Sequence, residues 1–207
     1  YFCTLKNYFM SVKVKSYTTK QLLDRVKSLP NFKHIPSGYW IIGIRSEEDT
    51  PNTYDDKFYL FKGEEHVSGA ISSGTTNPGT NALVNGWKTV NKKGAFVLKS
   101  DYWHYGIWKG GMHKLKMKAL VQVGTATGYR DNNNNKKSEE IGEMLEEKWI
   151  GINFHTNTYN AVQKAISWLI GGWSYGCQVL NDKAKYDIFI DKCYNQKTTD
   201  YVLLKEW

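Results

Sequence analysis

The chain has little of what lets a small protein fold by cross-linking. Only three cysteines occur among 207 residues, Cys3, Cys177 and Cys193. Three thiols cannot build a disulfide framework, and the lack of any CxxC pair removes the usual zinc-binding spacing. No apolar run approaches the ~20 residues a helix needs to span a bilayer, so no membrane insertion is expected. The first nine residues, YFCTLKNYF, are too short for a secretory signal and are broken by Lys6 and Asn7. Met10 reads as a natural start, with residues 1–9 a translated leader or an expression remnant, so Cys3 carries little weight. No internal repeat is visible. Disulfide scaffold, zinc module, helical membrane protein and repeat array are set aside on these grounds.

What is present is the balance of a globular protein: 41% hydrophobic, 14% aromatic and 23% charged residues. A chain this long hides roughly 70% of its unfolded surface without any staple. Eight Trp and 14 Tyr suit carbohydrate or peptide surfaces as well as a core. The formal charge is +8, a field that favours nucleic acid, anionic lipid or an anionic bacterial wall. The basic residues are spread out, however. The densest cluster, Lys109 to Lys118, holds four lysines interrupted by glycines. With no helix-turn-helix, zinc or single-strand-binding signature beside them, no nucleic-acid partner is expected.

Thr18 to Leu29 reads as a helix. Leu22, Leu23, Val26 and Leu29 recur at helical spacing, a Thr precedes them and Pro30 ends the run. From Gly38 the character changes to short aromatic or β-branched runs between Asp, Asn, Pro and Gly: 39–46, 57–63, 65–74, 94–100, 118–130, 149–155 and 177–180. Helical periodicity returns at Asn160 to Leu169 and near Lys183 to Tyr194, where Tyr186, Phe189, Ile190 and Cys193 share a face. The fold expected is mainly β, a β-sandwich or open barrel with peripheral α-helices. Residues 1–37 form an N-terminal extension whose helix packs on a core spanning 38–207.

The one low-complexity patch is DNNNNKKSEE at 131–140. Asp131, Asn133 and Asn135 alternate like the first ligands of a calcium loop. The sixth position lacks the required glycine, and Gly142 stands where a bidentate Glu belongs. The patch reads as a solvated loop, and neither metal nor cofactor is expected.

Chemistry concentrates at 149–182, WIGINFHTNTYNAVQKAISWLIGGWSYGCQVLND. A strand-like run ends at His155. Gly171 to Cys177 then leads into an apolar strand, which would put a thiol on a tight turn whose backbone amides can converge on an oxyanion. A thiol attacks as thiolate, and a nearby imidazole is the usual means of reaching it. His155 lies 22 positions before Cys177, room for one helix and a turn. Spacing alone leaves open that Cys177 is a small buried hydrophobe and His155 a hydrogen-bonded strand-end residue. The order His then Cys does not fit papain-like enzymes, where Cys comes first. Cys193 has no glycines near it and belongs to a helix face.

His155, 18 intervening residues and then Ser174-Tyr175-Gly176-Cys177 resembles the active-site pattern of the L,D-transpeptidase (YkuD-like) catalytic domain. SGTTNPGTNAL (73–83) is similar to that family's threonine-proline-glycine strand region. Arg130-Asp131, GINFH (151–155) and WSYGCQ (173–178) resemble its small phage-encoded branch. The likeness runs from about 39 to 191. It implies a stem peptide of bacterial peptidoglycan as partner, Cys177 as thioester-forming nucleophile and His155 as base. It further implies that the Thr156 carbonyl orients the imidazole, that Ser174 braces the turn, and that the amides of Tyr175, Gly176 and Cys177 hold the oxyanion. Two departures stand out: Tyr175 replaces the usual His, and Gln178 and Val179 replace the usual Arg or Asn after the Cys.

The function expected is a cysteine-dependent peptidoglycan hydrolase of phage lysis or entry, acting from the host cytoplasm on release or from a virion. The alternatives are an L,D-transpeptidase forming cross-links and a non-catalytic virion or wall-binding domain. Lesser candidates for substrate contact are Arg130, a carboxylate grip or a surface ion pair, Trp173, and His113. His104 and His113 flank the Gly- and Trp-rich segment 102–114, read as one wall of a groove or as aromatic packing with surface histidines. Glu64, Glu65 and His66 read as a charged hairpin turn.

Overall fold

A computed structural model describes residues 14–48, 52–89, 93–160, 170 and 174–207. The first helix, α1 (Thr19–Lys27), begins where the capping pattern says it should. The Thr18 hydroxyl accepts from the Gln21 amide, and the Gln21 side chain accepts from the Thr18 amide, so two otherwise orphaned donors are satisfied.

Eleven strands and two further helices follow among the described residues. They are β1 (Tyr39–Arg45), β2 (Asp56–Lys62), β3 (Glu65–Thr75), α2 (Thr80–Thr89), β4 (Ala95–Leu98), β5 (Tyr102–His113), β6 (Met117–Gln122), β7 (Ala126–Asp131), β8 (Leu145–Glu147), β9 (Phe154–Thr156), β10 (Gln178–Leu180), α3 (Lys183–Cys193) and β11 (Thr199–Lys205). The chain is mainly β, as its pattern of short strands requires. Eight strands close into a barrel in the order β1-β11-β5-β6-β9-β10-β3-β2, and β4-β7-β8 form a separate three-stranded sheet. Two neighbours are parallel, β1 with β11 and β9 with β10. Closure between β6 and β9 rests on one registered pair, Leu120 with Phe154.

Four segments differ from the sequence reading. The stretch read as a groove wall or aromatic packing is a twelve-residue strand over 102–113. β11, unforeseen, fills the barrel between β1 and β5. The Thr-Pro-Gly region leaves β3 at Thr75 and turns at Pro78-Gly79 into helix α2, because Pro78 cannot donate to a ladder. The strand expected over 149–155 is regular only from Phe154, and Cys177 lies just before β10. Glu64 and Glu65 do lie at the β2–β3 hairpin, with Glu64 ion-paired to Lys27 at 2.6 Å. The helix expected over 160–169 falls, after Asn160, outside the described residues, as does Cys3.

The barrel interior is one hydrophobic cluster that includes Ile41, Phe58, Trp108, Phe154, Leu180, Tyr201 and, from α3, Tyr186, Phe189, Ile190 and Cys193. The outer face of β1, β2 and β11 makes a second cluster: Trp40, Ile42, Tyr59, Phe61, Trp103 and Val202 under Leu22 and Val26 of α1. Among the described residues no helix is long and apolar enough to cross a membrane.

Candidate active site

β9 and β10 run parallel, with Phe154 opposite Gln178, His155 opposite Val179 and Thr156 opposite Leu180. Phe154 and Leu180 enter the barrel core, and the Gln178 side chain accepts from the Tyr201 hydroxyl at 2.7 Å. Alternation therefore turns His155 and Val179 outward. Cys177, two positions before Val179, packs with Val179, Tyr54 and Ile170 in a small buried cluster on that outer face. Twenty-two positions of chain thus return as a parallel neighbour, which brings His155 and Cys177 to one side of one strand pair.

The turn that presents the thiol is held by Ser174. Its hydroxyl donates to the Cys177 carbonyl at 2.9 Å and accepts from the Gly176 amide at 3.2 Å. Gly176 has φ +126°, and a Cβ there would stand 2.3 Å from the Phe96 carbonyl oxygen, so only glycine fits. The Gly79 amide donates to the Ser174 carbonyl at 2.9 Å, docking the loop before α2 on the same turn. The Tyr175 side chain packs against Ala82, Leu83 and Ala95, away from the thiol's cluster. One assignment narrows here. The Gly176 amide is engaged by Ser174 Oγ, so in this conformation an oxyanion role falls to the amides of Tyr175 and Cys177.

His155 is fully buried, and its Nδ1 lies 2.7 Å from the Thr156 carbonyl oxygen. A carbonyl can only accept, so Nδ1 carries the hydrogen and Nε2 of the neutral ring is the acceptor. Nε2 is buried and has no hydrogen-bond partner among the described residues. Burial drives the His155 pKa down to about 3, and the charges of His113 and Lys114 act in the same direction. Burial also raises the Cys177 thiol to about 11, against a lowering by the Asn153 backbone amide and Lys114. The thiol donates to the Gly151 carbonyl at 3.2 Å. Thiol and imidazole are therefore both neutral at rest rather than an ion pair, and the thiol is hydrogen-bonded to Gly151, not to Nε2.

The remaining candidates divide. His113, at the end of β5, is 6% exposed and stacks on His155 with ring centroids 4.0 Å apart. It belongs to the site. His104 does not: it is buried, with Nε2 donating to the Lys99 carbonyl at 3.1 Å, so neither histidine is a surface group. Arg130 is committed to Glu147 in two-point fashion at 2.8 and 2.6 Å and donates to the Gly94 carbonyl, all within the small sheet. Of the two readings of Arg130, the structure shows the ion pair. Trp173 lies outside the described residues.

Sequence reasoning missed Asn153, Lys114, Tyr54 and Asn157. Asn153 and Asn157 sit two residues either side of His155, a period-two signal for the same face. Nothing local marks Tyr54, which long-range folding brings against Cys177. A cavity of about 420 Å³ opens beside Thr156, bordered by Met112, Met117, Tyr159, Lys183 and Ile190. Among the described residues no group of three or more His, Cys, Asp or Glu could hold a metal. In the 131–142 loop, the Asn133 side chain donates to Glu139 at 2.6 Å, and Asn135 does likewise. Comparison with protein-family models, with curated proteins and with solved structures finds no match.

Proposed function

We propose that this chain is a cysteine-dependent enzyme that hydrolyses stem or cross-link peptides of bacterial peptidoglycan, in phage lysis or entry. The observation that carries the reading is the tautomer of His155. Its Nδ1–H is fixed on the Thr156 carbonyl and its Nε2 lone pair is left open, on the strand face it shares with a thiol on a Ser-braced turn. An unpaired buried ring nitrogen is not special to His155, since His104 Nδ1 and His66 Nε2 are also unpaired among the described residues. What sets His155 apart is that it shares its strand face with the Cys177 turn. The resemblance of His155 and Ser174-x-Gly176-Cys177 to the L,D-transpeptidase pattern supplies the substrate class, and the +8 charge favours an anionic envelope.

The chemistry follows from a neutral resting pair. Nε2 of His155 takes the thiol proton as Sγ attacks the scissile carbonyl carbon. Proton transfer accompanies attack because a free thiolate is disfavoured in this burial. The C–S bond forms, and the oxyanion is held by the amides of Tyr175 and Cys177. The imidazolium returns its proton to the leaving amine as the C–N bond breaks, which leaves a thioester. Water, deprotonated by the same nitrogen, then releases the acid. Cross-linking would differ only in an amine replacing that water.

The test is to incubate peptidoglycan and defined muropeptides with the parent chain and with Cys177→Ala, and to read the products by mass spectrometry. Shortened peptides that vanish in the variant support a hydrolase, and larger products would support a transpeptidase. Identical behaviour of the two proteins would remove the nucleophile assignment and favour a wall-binding or virion structural domain.

A further inference from the structure

A second imidazole lies against the first, and its own tautomer can be derived. The Gln122 backbone amide donates to Asn153 Oδ1 at 2.9 Å, which fixes the orientation of that side-chain amide. Asn153 Nδ2 is therefore the atom that faces His113 Nδ1 at 3.1 Å, and as an NH2 group it donates. His113 Nδ1 accepts, so a neutral His113 carries its hydrogen on Nε2. The chain of contacts runs Gln122, Asn153, His113, His155, Thr156. Its stacked step has centroids 4.0 Å apart and planes inclined by 20°.

The hairpin that delivers His113 is built at a cost. The Lys116 amide closes the turn on the His113 carbonyl at 3.0 Å, and the residues between them, Lys114 (φ 48°) and Leu115 (φ 56°), both adopt the left-handed region without being glycine. Two successive left-handed residues make the type I′ turn that two-residue hairpins favour, here without the usual Asn or Gly. Leu115 is 89% exposed and buries nothing in return. What the turn does accomplish is to end β5 with a buried ring on the proposed base.

We propose that His113 is the positioning residue of His155. As a neutral, Nε2-protonated ring held by Asn153, it clamps the His155 plane so that Nδ1–H stays on the Thr156 carbonyl and Nε2 stays an unprotonated acceptor. This rests on the reading of His155 and Cys177 as base and nucleophile. His113 acts through His155 and need not touch substrate. The charge bearing on His113 comes from Lys114 on its own turn, while His155 feels both His113 and Lys114. Both influences disfavour a second proton in the stack.

The test uses the full chain and its His113→Gln and His113→Phe variants, with Cys177→Ala and His155→Ala as references. Wall-peptide turnover is followed from about pH 5 to about pH 9. His113→Gln is expected to lower kcat by about tenfold to a hundredfold with KM little changed, because a small misplacement of a catalytic group is costly. The acid limb of its kcat/KM profile should move up toward the ordinary histidine range. His113→Phe keeps a flat ring and loses only the Asn153 acceptor, so it should recover part of kcat. Long-range proton–nitrogen NMR should show His113 protonated at Nε2 and His155 at Nδ1. Parental kcat and pH profile in His113→Gln, while His155→Ala is inactive, would overturn the proposal alone, as would an Nδ1-protonated His113. Activity retained in both Cys177→Ala and His155→Ala would remove the catalytic reading and this inference with it.

Discussion

The two outer faces of the barrel carry different kinds of side chain. Over β1, β2 and β11, helix α1 covers an aromatic surface whose polar tips find partners. The Trp40 indole donates to the Gly63 carbonyl at 2.8 Å, the Trp103 indole donates to the Val26 carbonyl at 2.9 Å, and the Tyr59 hydroxyl accepts from the Tyr17 amide at 3.2 Å. Over β9 and β10 lie the Cys177 thiol and the His155 imidazole, whose Nε2 has no hydrogen-bond partner among the described residues. Unsatisfied buried groups destabilise. The covered face has unpaired buried atoms too, Arg25 Nε and His66 Nε2. The faces differ in that one is an aromatic packing surface and the other brings a thiol and an imidazole together.

Breaking the open face should cost activity far more than stability. His155→Gln, which refills much of the ring's space, is expected to lower turnover of wall peptides on the order of a hundredfold to ten-thousandfold, with a thermal melt close to the parent's. A large drop in melting temperature would make His155 a packing residue instead. The covered face should behave in the converse way. Leu22→Ala is expected to destabilise by about 2–4 kcal/mol in urea unfolding while kcat is unchanged, since Leu22 is 1% exposed and contacts only the α1 cluster. A matching loss of kcat would mean that the faces are coupled.

Acid sharpens the same contrast. His155 is held down at about 3 and both His113 and His104 at about 4, in each case chiefly by burial. The unfolded chain therefore takes up protons first as pH falls. The stability these residues contribute is complete above the unfolded histidine range and is lost progressively from there down to about pH 4 for His113 and His104 and about pH 3 for His155. The expected loss between pH 7 and pH 4.5 is about 2–3 kcal/mol for each histidine. Unfolding free energies that stay level over that range would contradict the burial of these rings. The smallest effect on function is expected at Arg130. Because its guanidinium is spent on Glu147, Arg130→Ala should leave KM unchanged and lower stability by about 1–3 kcal/mol. A raised KM would return Arg130 to the substrate site.

Much of this was legible in the sequence, for reasons particular segments make plain. Helix α1 announced itself through Thr18, Gln21 and Pro30. Helix α3 did so through Tyr186, Phe189, Ile190 and Cys193, all of which are buried. Strands β1 to β3 were marked by runs between turn residues. β11 was not, because DYVLLK is short, buried on both faces and set among Thr and Lys, with its parallel partner β1 more than 150 positions away. β5 was hidden by its glycines. Gly110 is needed because a Cβ would meet the Tyr194 carbonyl oxygen at 2.0 Å, a long-range fact that no window of sequence contains. In the site, Cys177, His155, Thr156 and Ser174 could be named from the pattern. The stack of His113 on His155 could not, since it depends on how the β5–β6 hairpin folds back over β9.

The central claim is that Cys177 is acylated with His155 as its base. The direct measurement is intact-protein mass spectrometry after brief exposure to a defined stem peptide, quenched in acid to preserve a thioester, with the adduct located by digestion. The account predicts an added acyl mass on the peptide containing Cys177 in the parent chain, and none in Cys177→Ala or His155→Ala. An adduct on Cys193, an adduct that forms equally without His155, or cleavage of the peptide by Cys177→Ala would contradict it.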